Sequence, residues 1–187
     1  MSTSPAKSFE EASERHEHGR EGPRWIPIAA AVLAVLAAVS SYFGNLRSTE
    51  ALVAKNDSIV ATTLASDTYA QYQAGRIKYY LAQTAIDSGL SSGANLGKLE
   101  ATAAKEQVKG APLLEKARRY EEAAKHDNEH SVHLLHQHET IEVGVTLFEV
   151  GIVLVSITAL VGSRLLPITA GVAAALGMVF FLYGIFR

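Results

Sequence analysis

Cysteine is absent from this 187-residue chain. That excludes disulfide staples, thiolate metal sites and thiol nucleophiles. Charge of one sign is also lacking: the formal net charge is −2, so no general basic field exists for nucleic acid, and a nucleic-acid partner is not expected. Neither a glycine-rich phosphate loop nor a nucleophile paired with a base is visible. No catalytic residue is therefore assigned, and the chain is not read as an enzyme. Proline is scarce, with five residues in all, so long helices meet few interruptions.

What the chain has instead is apolar length. Three stretches, 26–44, 141–162 and 165–186, are almost free of charge. At about 1.5 Å of rise per residue each can cross a hydrocarbon layer of roughly 30 Å as a helix. The mean hydropathy over the whole chain is only +0.11, because the polar segment 45–140 dilutes the apolar ones. The sequence predicts an all-α membrane protein with three transmembrane helices, at 24–44, 141–162 and 165–187. Residues 163 and 164 form the tight turn between the last two. A cleaved signal peptide is the rival reading of 26–44; the long mixed-charge leader and the helix-compatible sequence beyond it favour an uncleaved anchor.

Residues 1–23 mix Ser, Glu, Arg, His and Gly around one sizeable apolar group, Phe9. Such a segment buries too little to offset its ordering entropy and is predicted to be a disordered polar tail. Lys7, Arg15, Arg20, Arg24 and Arg164 fall on one side of the spans, against Arg47, Lys55, Lys125 and Arg187. That small excess puts the N-terminus inside and the 45–140 segment outside. A bacterial inner (cytoplasmic) membrane is the expected location.

The segment 45–140 reads as a long antiparallel, coiled-coil-like helical hairpin between the first two spans. Its turn is expected at 88–97, where SGLSSGANLG carries three glycines, and a break is expected at Gly110, Ala111 and Pro112. On its second helix, Leu113, Ala117, Tyr120, Ala124, Asp127, Ser131, Leu134, His138, Ile141, Val145, Phe148, Ile152 and Val155 alternate by fours and threes. That spacing is an a/d seam running from the polar part into the second span. Leu46, Val53 and Val60, then Tyr69, Tyr72 and Ile77, are the expected partner row. One hairpin so rich in alanine buries little, so association with further copies, a homo-oligomer, is expected.

Small residues recur in the spans with the same period. Ala30, Ala34, Ala37, Ser41 and Gly44 lie on the first, Gly144, Gly151 and Thr158 on the second, and Ala170, Gly177 and Gly184 on the third. Lipid supplies no hydrophobic drive between helices, so close approach at small residues is the expected means of packing.

Two constellations could carry chemistry. His126, His130 and His133 share one helix face within the run of five histidines that ends at His138. Zinc or another divalent metal is one reading of them; solvated, pH-responsive side chains near lipid headgroups are the other. Glu142 and Glu149 lie seven apart, with Ser156 a further seven along. A charged group at the centre of a span costs about 2.5–3.5 kcal/mol, so such residues face a partner or a cavity. Either they relay a proton from His138, or they hydrogen-bond across the bundle or between protomers.

The segment SDTYAQYQAGRIK at 66–78 resembles a bacterial family known as domain of unknown function 4337. So do Asn45 with EALVAKN at 50–56, and the run 129–138 that leads into the second span. The resemblance implies a small bacterial membrane protein and brings no activity or catalytic residue with it. It also implies a neutral amide at position 149, where this chain has Glu. Together these features predict a structural or interaction role: a self-associating scaffold, or an accessory subunit with an unidentified protein partner. The alternative is a metal- or proton-responsive sensor or conduit.

Overall fold

In the computed structural model, residues 24–89 and 92–187 are described. The tail at 1–23, with the disorder expected of it, lies outside them. The described residues form three helices, α1 (Trp25–Asp87), α2 (Ala94–Val161) and α3 (Leu165–Phe186), and no strand. All three are long and apolar enough to cross a membrane.

Helix α1 is continuous for 63 residues, as its lack of proline after Pro27 allows. It ends in a left-handed glycine: Gly89 has φ 67° and its N–H donates to the Ile86 carbonyl at 3.1 Å. Gly93, at φ 60°, precedes α2. The turn is thus shorter than 88–97, because Asn95, Leu96 and Gly97 already belong to α2. Helix α2 also passes through Pro112, where the sequence led us to expect a break. The proline removes the helical donor to the Val108 carbonyl. Both residues are exposed, Val108 by 76%, so water can take the vacant place. Gly162, at φ 64°, ends α2 and donates to the Thr158 carbonyl at 3.0 Å, a left-handed cap no β-branched residue would supply.

The chain divides into two compact units. The first comprises the described residues through Ser48 together with Leu135–Arg187. Its core gathers Phe148, Val155, Leu33, Ile26, Ala37 and Ala170 from the three helices. Phe148 and Ile141 are wholly buried. The second unit, Thr49–Leu134, pairs α1 with α2 in opposite chain order: Lys55 meets Asn128, Ser58 meets Ala124 and Tyr69 meets Glu121.

In that unit the seam is made of small residues. Ala51, Ala54, Ser58, Ala61, Ala65 and Thr68 are buried on α1, opposite Ala117, Ala124 and Ser131 on α2. The Ser58 hydroxyl donates to the Ala124 carbonyl, and the Ser131 hydroxyl donates to the Ala51 carbonyl, each at 2.8 Å. A side chain this short reaches the opposite backbone only where the helices run close together. All thirteen seam positions expected on α2 are buried or half-buried. The expected partner row on α1 is corrected. Leu46, Val53, Val60 and Ile77 are exposed, because branched side chains there would hold the helices too far apart for the serine bonds. Tyr69 and Tyr72 are half-buried.

Candidate functional site

In the first unit, α2 meets α3 at glycines that allow close approach, backbone to backbone at Gly144 and α2 side chain to glycine at Gly177 and Gly184. A Cβ on Gly144 would lie 2.9 Å from the Gly177 carbonyl oxygen, and one on Gly184 would lie 2.6 Å from Ile141 Cγ1. Gly151 faces Leu33 of α1, whose Cδ1 would be 3.2 Å from an added Cβ, and the Ala170 carbonyl at 3.6 Å. Gly144, Gly151, Thr158, Ala170, Gly177 and Gly184 are all buried. On α1 the small-residue row shifts. Ala37 and Gly44 are buried, Ala30 and Ser41 are half-buried and Ala34 is exposed, while Leu33 and Ser40 turn inward. The reason is complementary: α2 offers the glycine hollow at Gly151, and α1 fills it with the bulk of Leu33. A small-residue count on each helix separately could not show that one row serves as the hole for a large residue on another.

Gly44 has a second role. A Cβ there would come within 3.2 Å of Glu142 Oε1 and 3.5 Å of His138 Nδ1. With no side chain in the way, the His138 ring approaches the Gly44 carbonyl, Nδ1 to O 2.9 Å. A carbonyl only accepts, so this geometry places the proton on Nδ1. Glu142 Oε1 lies 4.0 Å from the same nitrogen. His138 and Glu142 are thus brought together, at ion-pair distance when the imidazole is charged.

Glu149 is not part of this group. It is exposed on the outer face of the apolar part of α2, with Thr146 and Ser156 exposed on the same face. Thr146 and Ser156 donate to their own helix, to the Glu142 and Ile152 carbonyls at 3.0 and 2.8 Å. Their oxygens keep free lone pairs. Among the described residues Glu149 has no hydrogen bond or ion pair. Of the hydrogen-bonding reading, which allowed a partner in the same bundle or in another protomer, the bond within this chain's described residues is not formed.

His126, His130 and His133 belong to the second unit and are exposed. His126 Nδ1 lies 3.3 Å from Asp127 Oδ1, and Asn56 and Asp57 are exposed on α1. No group of three or more His, Asp or Glu side chains among the described residues is arranged to hold a metal ion. One phenol is perturbed: Tyr69 donates to Glu121 Oε2 at 2.8 Å. That bond, then desolvation and the Glu121 charge, raise its pKa, with Arg118 opposing.

The model of the family described as Domain of unknown function (DUF4337) matches residues 23–187. The chain belongs to that family. No curated protein and no solved structure matches it.

Proposed function

We propose that this chain is an integral membrane protein of structural type, which works by associating with further copies of itself as a scaffold or accessory subunit. In this reading the apolar parts of α1 and α2, with α3, cross a bacterial inner membrane. The polar parts of α1 and α2 form a helical hairpin outside it. The observation that carries the proposal is Glu149, exposed with Thr146 and Ser156 on the outer face of an apolar helix. Facing lipid, a carboxyl costs about 2.5–3.5 kcal/mol on insertion scales. A second helix with donors and acceptors at the same height relieves that cost, and another copy supplies them. Bonds of this kind between membrane helices contribute about 0.6–1.7 kcal/mol each.

Native mass spectrometry of the detergent-purified protein tests this. Wild type and Glu149→Gln, which keeps hydrogen-bonding capacity, should give the same oligomer. Glu149→Leu should shift the equilibrium towards monomer by about 3- to 20-fold, since it removes the bond and also makes the lone helix more soluble in lipid. A monomeric wild type, or an oligomer indifferent to Glu149→Leu, overturns the proposal. The adjacency of His138 and Glu142 favours a second reading, a proton- or metal-responsive protein. A chelator-removable metal of one per protomer would support it.

A further inference from the structure

The alanine seam of the second unit opens at one level. On α1 its buried row steps by fours and threes through Ala61, Ala65 and Thr68, then returns only at Ala82. The steps between fall on Tyr72, Gly75 and Tyr79, all half-buried. On α2 the matching gap lies between Ala103 and Ala117, where Glu106, Gly110 and Leu113 are half-buried. At this level the helices enclose a cavity of about 310 Å³, with Tyr72, Arg76, Tyr79, Glu106, Gly110 and Leu114 in its lining. Glycine makes the room. Gly75 is the one glycine between Gly44 and Gly89, at a place where alanine would favour the helix. A Cβ there would lie 3.0 Å from Glu106 Oε2, and one on Gly110 would lie 3.6 Å from Tyr72 Cε2.

Two opposite charges line this cavity without meeting. Among the described residues Glu106 has no hydrogen bond and no ion pair. Arg76 has no ion pair either; its guanidinium lies 4.8 Å from the centre of the Tyr80 ring and donates to the Tyr80 hydroxyl. That bond uses one N–H and leaves the others for a ligand. We propose that the cavity binds an apolar α-amino acid as its zwitterion, the ammonium on Glu106, the carboxylate on Arg76 and the side chain against Tyr72 and Leu114. Charge selects this class. A ligand that is only cationic meets Arg76 as a like charge, and one that is only anionic meets Glu106 so. A ligand carrying both makes a charge-assisted hydrogen bond at each end. The tyrosine faces beside Glu106 also favour an ammonium group. Stacking on Tyr80 holds Arg76 in place beforehand, which lowers the ordering cost of binding. Size agrees: ligand pockets run from about 300 to 1,000 Å³, so this one suits a small metabolite. The proposal uses neither Glu149 nor a second copy, and it stands apart from the self-association reading.

Isothermal titration of the detergent-purified full chain with L-leucine tests this. Two analogues each keep one end: 3-methylbutylamine lacks the carboxylate, and 4-methylpentanoate lacks the ammonium. L-Leucine should bind, and each analogue should bind about tenfold or more weakly, the usual value of a hydrogen bond to a charged group. Glu106→Gln and Arg76→Gln, neither at a buried position, should each weaken L-leucine by a similar factor. Gly110→Leu fills the cavity and favours the helix, so it should abolish binding without lowering the unfolding temperature. Absence of L-leucine binding at millimolar concentration overturns the proposal. So does an amine that binds as tightly as L-leucine, because Arg76 then contributes nothing. Binding that survives in a folded Gly110→Leu chain also overturns it, since the ligand then sits elsewhere. O-Phosphoethanolamine carries the charges of a lipid headgroup and should bind more weakly than L-leucine. Tighter binding would give the cavity to a headgroup and overturn the amino acid.

Discussion

Helix α2 packs in two different ways within this chain. In the first unit a large side chain occupies the centre: Phe148 is wholly buried, and its ring lies 3.1 Å from where a Gly177 Cβ would be. In the second unit the wholly buried residue is Ala117, with Ser58 and Ser131 reaching across to backbone carbonyls. One unit fits bulk into glycine hollows; the other brings two nearly smooth helix faces into contact. Equal burial therefore does not mean equal contribution. Stability in the first unit depends on the volume of single residues, and in the second on backbone proximity spread over many.

The sharpest way to break that contrast is to truncate at one wholly buried position in each unit. Phe148→Ala should cost about 3–5 kcal/mol, since the glycine-lined pocket around it cannot collapse onto the smaller side chain. Ala117→Gly should cost about 1 kcal/mol, mostly through backbone entropy. Thermal unfolding in one detergent compares them directly. Similar losses would mean that the second unit is as dependent on single residues as the first.

The serine bonds give a smaller effect. Ser58→Ala and Ser131→Ala should each cost about 0.5–1.5 kcal/mol, the usual net value of a buried hydrogen bond. Each bond spans the two helices at its own level, one heptad apart, so the double variant should be close to additive. Hydrogen exchange at the Ala51 and Ala124 levels should quicken in the matching variant. Unchanged exchange would show that the alanine faces hold the pair without them.

Much of this arrangement was legible in the sequence, and the misses share a cause. The apolar runs and the a/d seam of α2 follow from period alone, because every position on one face is buried whatever its size. The partner face of α1 did not follow. Period marked two rows on that helix, and reading the branched one inward assumed that hydrophobic residues go to the nearest neighbour. Helix proximity decided otherwise, since Ala51, Ala54 and Ser58 allow contacts that Val53 and Val60 would block. The same logic moved the small-residue row off Ala34: Leu33 finds its hollow at Gly151, a pairing visible only once both helices are in place. At Pro112 the expected break fails because the lost hydrogen bond lies on an exposed face. Glu149 was legible as a costly residue, but whether it points inward or outward depends on the angular position of α2, which the sequence leaves to packing.

The smallest effect probes the polar rim of the second unit. Tyr69 keeps its proton more tightly than an ordinary phenol, chiefly because that proton is shared with the Glu121 carboxylate. Ionising Tyr69 would remove the donor and set a phenolate against a carboxylate. A group whose pKa is raised on folding contributes its stability below the unfolded value, here 10.0, and loses it as pH rises through the folded value. The bond should therefore hold at neutral pH and fail only in strong alkali. The chain has seven tyrosines, so an ultraviolet titration must be read as the difference between wild type and Tyr69→Phe. In the Glu121→Gln background that difference curve should move down towards pH 10, because the amide cannot hold the proton by charge. If it does not move, the Tyr69–Glu121 contact is not formed in solution. The second unit would then rely on its alanine and serine seam alone, with no support from the rim.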